Sequence, residues 1–193
     1  MISLVEPAAG TPLYQLKISL KYSQPKIWRR IVVPSNLKLN RLHDVIQRVM
    51  PWTDSHLHQF IVGSVYYGQP DPDADMGFET LNEKRHLIAD LAPGAKKKFV
   101  YEYDFGDGWE HEIVVEKVLP PDAGFKKIVC VAGENACPPD DCGGIGGYYN
   151  LLEIISNPKH PDHEHIKEWL GCDWDLHRFD LAQVNDDLKR FKI

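Results

Sequence analysis

No stretch of this sequence stays apolar for the roughly 18–20 residues that a membrane-spanning helix requires, so no membrane association is expected. The segment from Met1 to Gly10 lacks the basic start and long apolar core of a secretory leader. Cysteine is scarce: Cys130, Cys137, Cys142 and Cys172 are all that 193 residues contain. A chain of this length, 43% hydrophobic, buries a core without disulfide staples. The thiols are therefore expected to be reduced, in a cytoplasmic protein. Gly143-Gly-Ile-Gly-Gly147 is not followed by Gly-Lys-Ser/Thr, which excludes a P-loop. The run is read as turn geometry that lets backbones approach closely. Asp71, Asp73 and Asp75 have the spacing of a calcium loop, but its sixth and twelfth positions are Met76 and Asn82 instead of Gly and Glu. A solvated acidic loop is expected there. Internal repeats and low-complexity segments are absent.

Basic residues are also in the minority, 22 against 28 acids, and they are unevenly placed. Residues 11–50 hold Lys17, Lys21, Lys26, Arg29, Arg30, Lys38, Arg41 and Arg48 against Asp44 alone. One reading is a nucleic-acid face, with Trp28, Arg29 and Arg30 as its candidates. The other is that basic strands lie against an acidic hairpin and neutralise it. These residues mostly alternate with apolar ones, as on a solvated sheet face, which favours the second reading.

What is present has clear periodicity. Tyr14, Leu16, Ile18, Leu20 and Tyr22 alternate with polar residues, predicting a half-buried strand that pairs with a second at 26–33. Leu42, Val45, Ile46 and Val49 predict a helix over 41–50, capped by Asn40 and ended by Pro51. A third strand is expected over 57–66, and Thr80-x-x-Glu83 has the form of a capping box. Residues 126–132 read as a further strand. Helices follow from Tyr148, from Asp162 to Gly171 and from Asp180. This order implies an α+β fold: a mainly antiparallel sheet built from hairpins, with helices on one face and a helical C-terminal part. A single domain is expected over 1–193, with a sheet-rich part at 12–132, a Cys/Gly loop at 133–147 and a helical part at 148–193.

The densest run of aromatic, acidic and imidazole residues is the hairpin around Gly106-Asp-Gly108. A three-residue loop would pair Phe105 with Trp109 and Tyr103 with His111. It would put Tyr101, Tyr103, Phe105, Trp109 and His111 on the inner face, with Gly108 left-handed. Glu102, Asp104, Glu110, Glu112 and Glu116 would share the outer face, where like charges need compensation.

Carboxylates and imidazole suit acid–base chemistry or a divalent ion, which makes Asp104, Asp107, His111 and Asp140 catalytic candidates, with His58 nearby. Cys137-x4-Cys142 is the metal candidate, with His111 as a further ligand and a divalent metal such as zinc as the cofactor. Cys130, His160, His163 and His165 are the remaining ligand sources. The competing reading is that His111 is a satisfied core residue, that Asp107 serves only the turn, and that the thiols are simply buried.

Tyr103-Asp-Phe-Gly-Asp-Gly-Trp-Glu-His111, Ala136-Cys-Pro-Pro-Asp-Asp-Cys-Gly-Gly144, Gly147-Tyr148, Phe179-Asp180 and Val184-Asn185 resemble, in order, the plasmid pRiA4b ORF-3-like family. Trp28-Arg29-Arg30 and His58-x-Phe60 fit the same pattern. The resemblance runs from about Leu13 to Leu188 and departs at Asp140, where the family pattern has the longer Glu. It implies a single α+β domain and marks the hairpin and the Cys-Pro-Pro loop as the shared core. Some members carry a transposon-resolvase (TnpR-like) label as passengers of insertion elements, but no Arg-clustered nucleophilic Ser supports recombinase chemistry here. The expected function is a binding or adaptor module linked to mobile-element or nucleic-acid processes, with a protein or nucleic acid as partner. Its cleft is expected between the hairpin, the Cys137–Gly147 loop and the following helix. The alternative is a metal-assisted hydrolase or nuclease with its site near the 104–111 hairpin and the 137–147 loop.

Overall fold

The computed structural model describes residues 10–70, 79–171 and 174–190. Asp71, Asp73, Asp75 and Cys172 lie outside the described residues. The period-two segments form the centre of one eight-stranded sheet. β1 (Leu13–Leu20) pairs antiparallel with β2 (Trp28–Pro34) on one side and with β7 (Trp109–Leu119) on the other. With β3 (His58–Val62), β4 (Val65–Gly68), β5 (Thr80–Asn82), β6 (Lys98–Tyr103) and β8 (Val129–Glu134), the order is β5-β4-β3-β6-β7-β1-β2-β8. Every pairing is antiparallel except β4–β5. α1 (Leu39–Val49) lays Leu42, Val45, Ile46 and Val49 against Leu16, Ile18, Phe60, Tyr101 and Ile113 of the sheet. This core is the expected α+β arrangement.

Three local expectations are corrected. The 57–66 run is two strands, because Gly63 takes φ +59° and turns the chain over Gly63-Ser64. α1 begins at Leu39, and Asn40 lies inside it and caps nothing. The first turn is instead tied down by the neighbouring chain, Leu39 N–H donating to the His86 carbonyl at 3.0 Å. Thr80 opens strand β5, and it is Asn82 that caps the 3-10 turn Glu83–Arg85, accepting from Lys84 N–H.

The β6–β7 hairpin keeps the expected faces but not the expected loop. Tyr103 pairs with Trp109 and Tyr101 with His111, so the connection is five residues, Asp104–Gly108. Asp104 at φ +56° and Gly108 at φ +65° shape it. The Asp104 carboxylate accepts from Gly106 N–H at 2.9 Å and the Asp104 carbonyl from Gly108 N–H at 2.6 Å, a side-chain-mediated turn that stops strand pairing early. Asp104 thus leaves the acidic outer face and is only 8% exposed, while Phe105 turns outward.

On the outer face Glu102 and Glu110 stand directly opposite each other. Compensation comes from within the sheet. Lys21 pairs with Glu110, Lys98 with Glu112 at 2.7 Å, Gln59 donates to Glu102 at 2.6 Å, and Arg30 grips Glu116 through two bonds of 2.5 and 2.9 Å. The Arg30 guanidinium, by hydrogen bond and charge, holds the Glu116 carboxyl down at about 2.

α2 (Ile88–Leu91) closes the sheet-rich part, and α3 (Gly144–Ser156), α4 (His163–Leu170) and α5 (Leu181–Arg190) form the C-terminal part. Asp180 caps α5, accepting from Gln183 N–H at 2.9 Å. α5 covers the free edge of β8, where the Asn185 amide donates to the Cys130 carbonyl and accepts from Cys130 N–H, at 2.8 and 3.0 Å.

Arg29 is 2% exposed. Its guanidinium donates to the carbonyls of Val49, Trp28, Glu134 and Asn135 at 2.8–2.9 Å and stacks on Phe179 at 4.5 Å. His111 is fully buried among Trp52 and Tyr101, with Nε2 unpartnered among the described residues. Burial depresses it from 6.5 to about 4.

Arg29→Leu strands four carbonyls, those of Val49 and Asn135 in buried residues, and we expect a loss of about 3–5 kcal/mol in urea unfolding. Arg30→Ala breaks a partly exposed pair and should cost less than about 1 kcal/mol. His111 also sets a pH dependence. The unfolded chain binds its proton first, so this contribution is complete above pH 6.5 and is lost as pH falls towards about 4. His111→Leu should flatten the stability–pH curve in that window by on the order of 3 kcal/mol, read from urea midpoints.

Candidate functional site

Two segments converge on the hairpin tip. The Cys/Gly loop arrives from β8, and residues 50–57 arrive from the end of α1. Trp52 Nε1–H donates to the Pro138 carbonyl at 2.9 Å, while Thr53 donates to the Asp140 carboxylate through its N–H and hydroxyl, at 2.9 and 2.6 Å. Asp107 accepts from Gly143 N–H at 3.1 Å. The Asp107 carbonyl lies 2.3 Å from where a Cβ on Gly144 would be, and Gly144 has φ +65°, so only glycine fits. The Gly run is thus the first turn of α3, pressed against the hairpin.

The loop brings Asp140 and Asp141 to the tip, leaves Cys142 near Asp107 and buries Cys137. Cys137 is buried, its Sγ 3.4 Å from Arg29 Nη2 and 3.5 Å from Met50 Sδ. Burial raises the Cys137 thiol. Cys142 is pushed up to about 12 by burial and by Asp107, Asp140 and Asp141. Among the described residues, the two clusters with metal-ligand spacing are His56/Asp104/Asp141 and His43/Asp44/Asp54, and neither holds Cys137, Cys142 or His111. His111 belongs to the core described above.

The catalytic candidates therefore separate. Asp104, Asp107 and Asp140 gather at the tip, whereas His111 does not reach it. Its place is taken by His56, whose Nε2 lies 3.1 Å from Asp141 Oδ1 and 3.6 Å from Asp104 Oδ2. His56 sits in a short polar connector, Thr53-Asp-Ser-His56, whose only sequence signal is three polar groups after a helix-ending proline.

Beside this cluster opens a cleft of about 850 Å³ between α1, the 54–59 segment and residues 68–70 and 79–84. On its lining the His43 and His58 rings stack 3.4 Å apart and nearly parallel, at 4°. His43 Nε2 meets Asp54 at 2.8 Å, His43 Nδ1 meets the Tyr101 hydroxyl at 2.8 Å, and His58 Nε2 meets the buried Glu83 at 2.8 Å. Gln47 joins the network, donating to the Tyr101 hydroxyl at 3.0 Å and accepting from Asp54 N–H at 3.1 Å. Burial, reinforced by the charge of His58, lowers His43 to about 4, so it is neutral at pH 7. Burial raises Asp44, which Arg41 counters across a 2.6 Å ion pair. His43 and Gln47 stand four residues apart on the flank of the α1 apolar stripe. Two polar residues there signal a buried polar network, which the apolar pattern alone passes over.

A smaller cavity of about 260 Å³ lies between the Cys/Gly loop, α3 and α4, lined in part by Asp141, Cys142, His165 and Trp169. It borders the loop and the following helix, as expected for the cleft, but among the described residues no hairpin residue lines it, whereas Phe105 of the tip lines the larger one. The nucleic-acid candidates are all engaged within the fold. Arg29 is buried, Arg30 holds Glu116, and Trp28 donates to Glu134 at 2.9 Å with Lys17 and Arg30 over its ring. Among the described residues no helix is long and apolar enough to cross a membrane.

The chain is 37% identical over 179 residues to the uncharacterized protein y4hQ of Sinorhizobium fredii (strain NBRC 101917 / NGR234), covering 90% of this chain and 91% of that protein. It shares its fold with the crystal structure of MM3350, a protein of unknown function from Methanosarcina mazei Go1, at TM-score 0.79 and 35% identity, over 89% of this chain and 97% of that one. Residues 12–183 match the family described as plasmid pRiA4b ORF-3-like protein, which takes in the hairpin, the Cys-Pro-Pro loop and both histidine clusters. This chain belongs to the plasmid pRiA4b ORF-3-like family.

Proposed function

We propose that the protein is a binding module that takes a cationic side chain of a protein partner into the cleft over His43 and His58. The observation that carries this is the charge and order of the lining. Asp44, Asp54, Glu79 and Glu83 outnumber Arg41 and Lys84 there, and the carboxylates of Asp54 and Glu83 are already held by imidazoles. Such a preformed acidic surface attracts an ammonium or guanidinium and repels the phosphates of a nucleic acid. Leu57 and Phe105, 67% and 39% exposed, stand among the lining residues and offer apolar contact to the partner's stem.

The metal-assisted hydrolase remains the second reading. It draws on His58, an imidazole oriented by the buried Glu83 as a general base would be.

Fluorescence anisotropy with labelled Lys/Arg-rich and Asp/Glu-rich peptides tests the first reading. The basic peptide should bind at low salt and weaken as salt rises. It should lose at least about tenfold, or ~1.4 kcal/mol, in Asp54→Asn/Glu83→Gln, with folding checked by circular dichroism. Equal affinity for both peptides, or no loss in the double variant, overturns it. Hydrolysis of a phosphodiester or ester probe that disappears in His58→Ala would decide for the second reading.

A further inference from the structure

We infer that His56, Asp104 and Asp141 form a binding site for one divalent cation of the zinc, cobalt or manganese type, at the junction of the hairpin tip and the Cys/Gly loop. The three donor atoms lie within 4.8 Å of one another. His56 Nε2 stands 3.1 Å from Asp141 Oδ1 and 3.6 Å from Asp104 Oδ2. Metal–donor bonds of about 2.0–2.2 Å place neighbouring donors about 3.0–3.6 Å apart, the range into which both His56–carboxylate distances fall.

Two independent observations point to a ligand. Among the described residues, His56 Nε2 is closed off from solvent and makes no hydrogen bond, although both carboxylates are near it. Its ring nitrogen is therefore aimed at neither oxygen. Asp104, 8% exposed, turns one oxygen to the Gly106 and Asp107 amides, while among the described residues Oδ2 accepts no hydrogen bond and faces His56. Two carboxylates and an imidazole meet, and among the described residues no Lys or Arg pairs with Asp104 or Asp141. A cation supplies the missing charge.

The donor set selects the ion. One imidazole with two carboxylates suits zinc, cobalt(II) or manganese, whereas magnesium and calcium favour all-oxygen sites. Three protein ligands leave at least one position open, as in metal sites that accept water or substrate. The ring is already oriented, with Tyr103 edge-on at 5.7 Å and its hydroxyl held by Ser55 N–H at 3.2 Å. This site differs from the one expected from Cys137, Cys142 and His111. It does not rest on the cationic-partner reading, although His56 also borders that cleft.

Chelator-stripped protein titrated with zinc, cobalt(II), manganese and magnesium by calorimetry tests it, with no peptide present. One zinc or cobalt ion should bind per chain, at least about thirtyfold more tightly than magnesium, and cobalt should show visible bands of a nitrogen/oxygen site. His56→Ala and Asp141→Asn should each weaken zinc at least about thirtyfold, while Cys142→Ser leaves it unchanged. Asn tolerates the left-handed backbone of Asp141, so that variant should keep the fold. No stoichiometric uptake, magnesium binding as tight as zinc, or affinity lost with Cys142→Ser and kept in Asp141→Asn would each overturn the site.

Discussion

The structure hangs on the buried guanidinium of Arg29. Its donors reach carbonyls at the end of α1, in β2, at the end of β8 and at the start of the Cys/Gly loop, and its flat face carries Phe179 from the C-terminal part. Three stretches distant in sequence from β2, at Val49, Glu134–Asn135 and Phe179, thus share one side chain. A lysine could not replace it, because one ammonium lacks the planar fork that serves several carbonyls at once. The bond to Val49 fixes where α1 stops, and so where Trp52, Thr53, Asp54 and His56 begin. The bonds to Glu134 and Asn135 fix where the loop bearing Asp140 and Asp141 departs. Both walls of the hairpin-tip site are set from one point.

The two faces of the sheet handle charge in different ways. Outside, acids of the hairpin meet the bases of β1 and β2, which is why a strongly basic stretch near one end of the sequence need not signal a polyanionic partner. Inside, His43, Gln47, Tyr101 and Asp54 make one hydrogen-bonded group, and the His58–Glu83 pair joins it through the stacked imidazoles. A buried network of this kind is stable only when its members satisfy one another. That requirement preorganises the cleft before any ligand arrives.

Much of this was legible in the residues. Alternation placed β1, β2, β6 and β7 and assigned the correct face to Tyr101, Tyr103, Trp109 and His111, because parity survives any even change of register. Loop length did not follow from burial, since Asp104 closes the turn through its own carboxylate, a local bond that hydrophobic pattern does not encode. Gly63 inside an apolar run was a turn that periodicity passed over. The site itself was half visible. Asp104 and Asp140 stood in recognisable motifs, but His43 and His56 became functional candidates only through long-range pairing of α1, β3 and the tip. Sequence spacing drew attention to the thiols, whereas the His/Asp clusters come together only on folding.

The Asn185 amide against Cys130 has a consequence for solubility. β8 is the last strand of the sheet, and its outer edge offers unpaired backbone groups that any extended chain could join. Asn185 imitates one residue of a ninth strand, satisfying an N–H and a C=O while ending the ladder there. The C-terminal helix is thus a stopper as well as a packing element. It keeps one molecule's sheet from growing into the next.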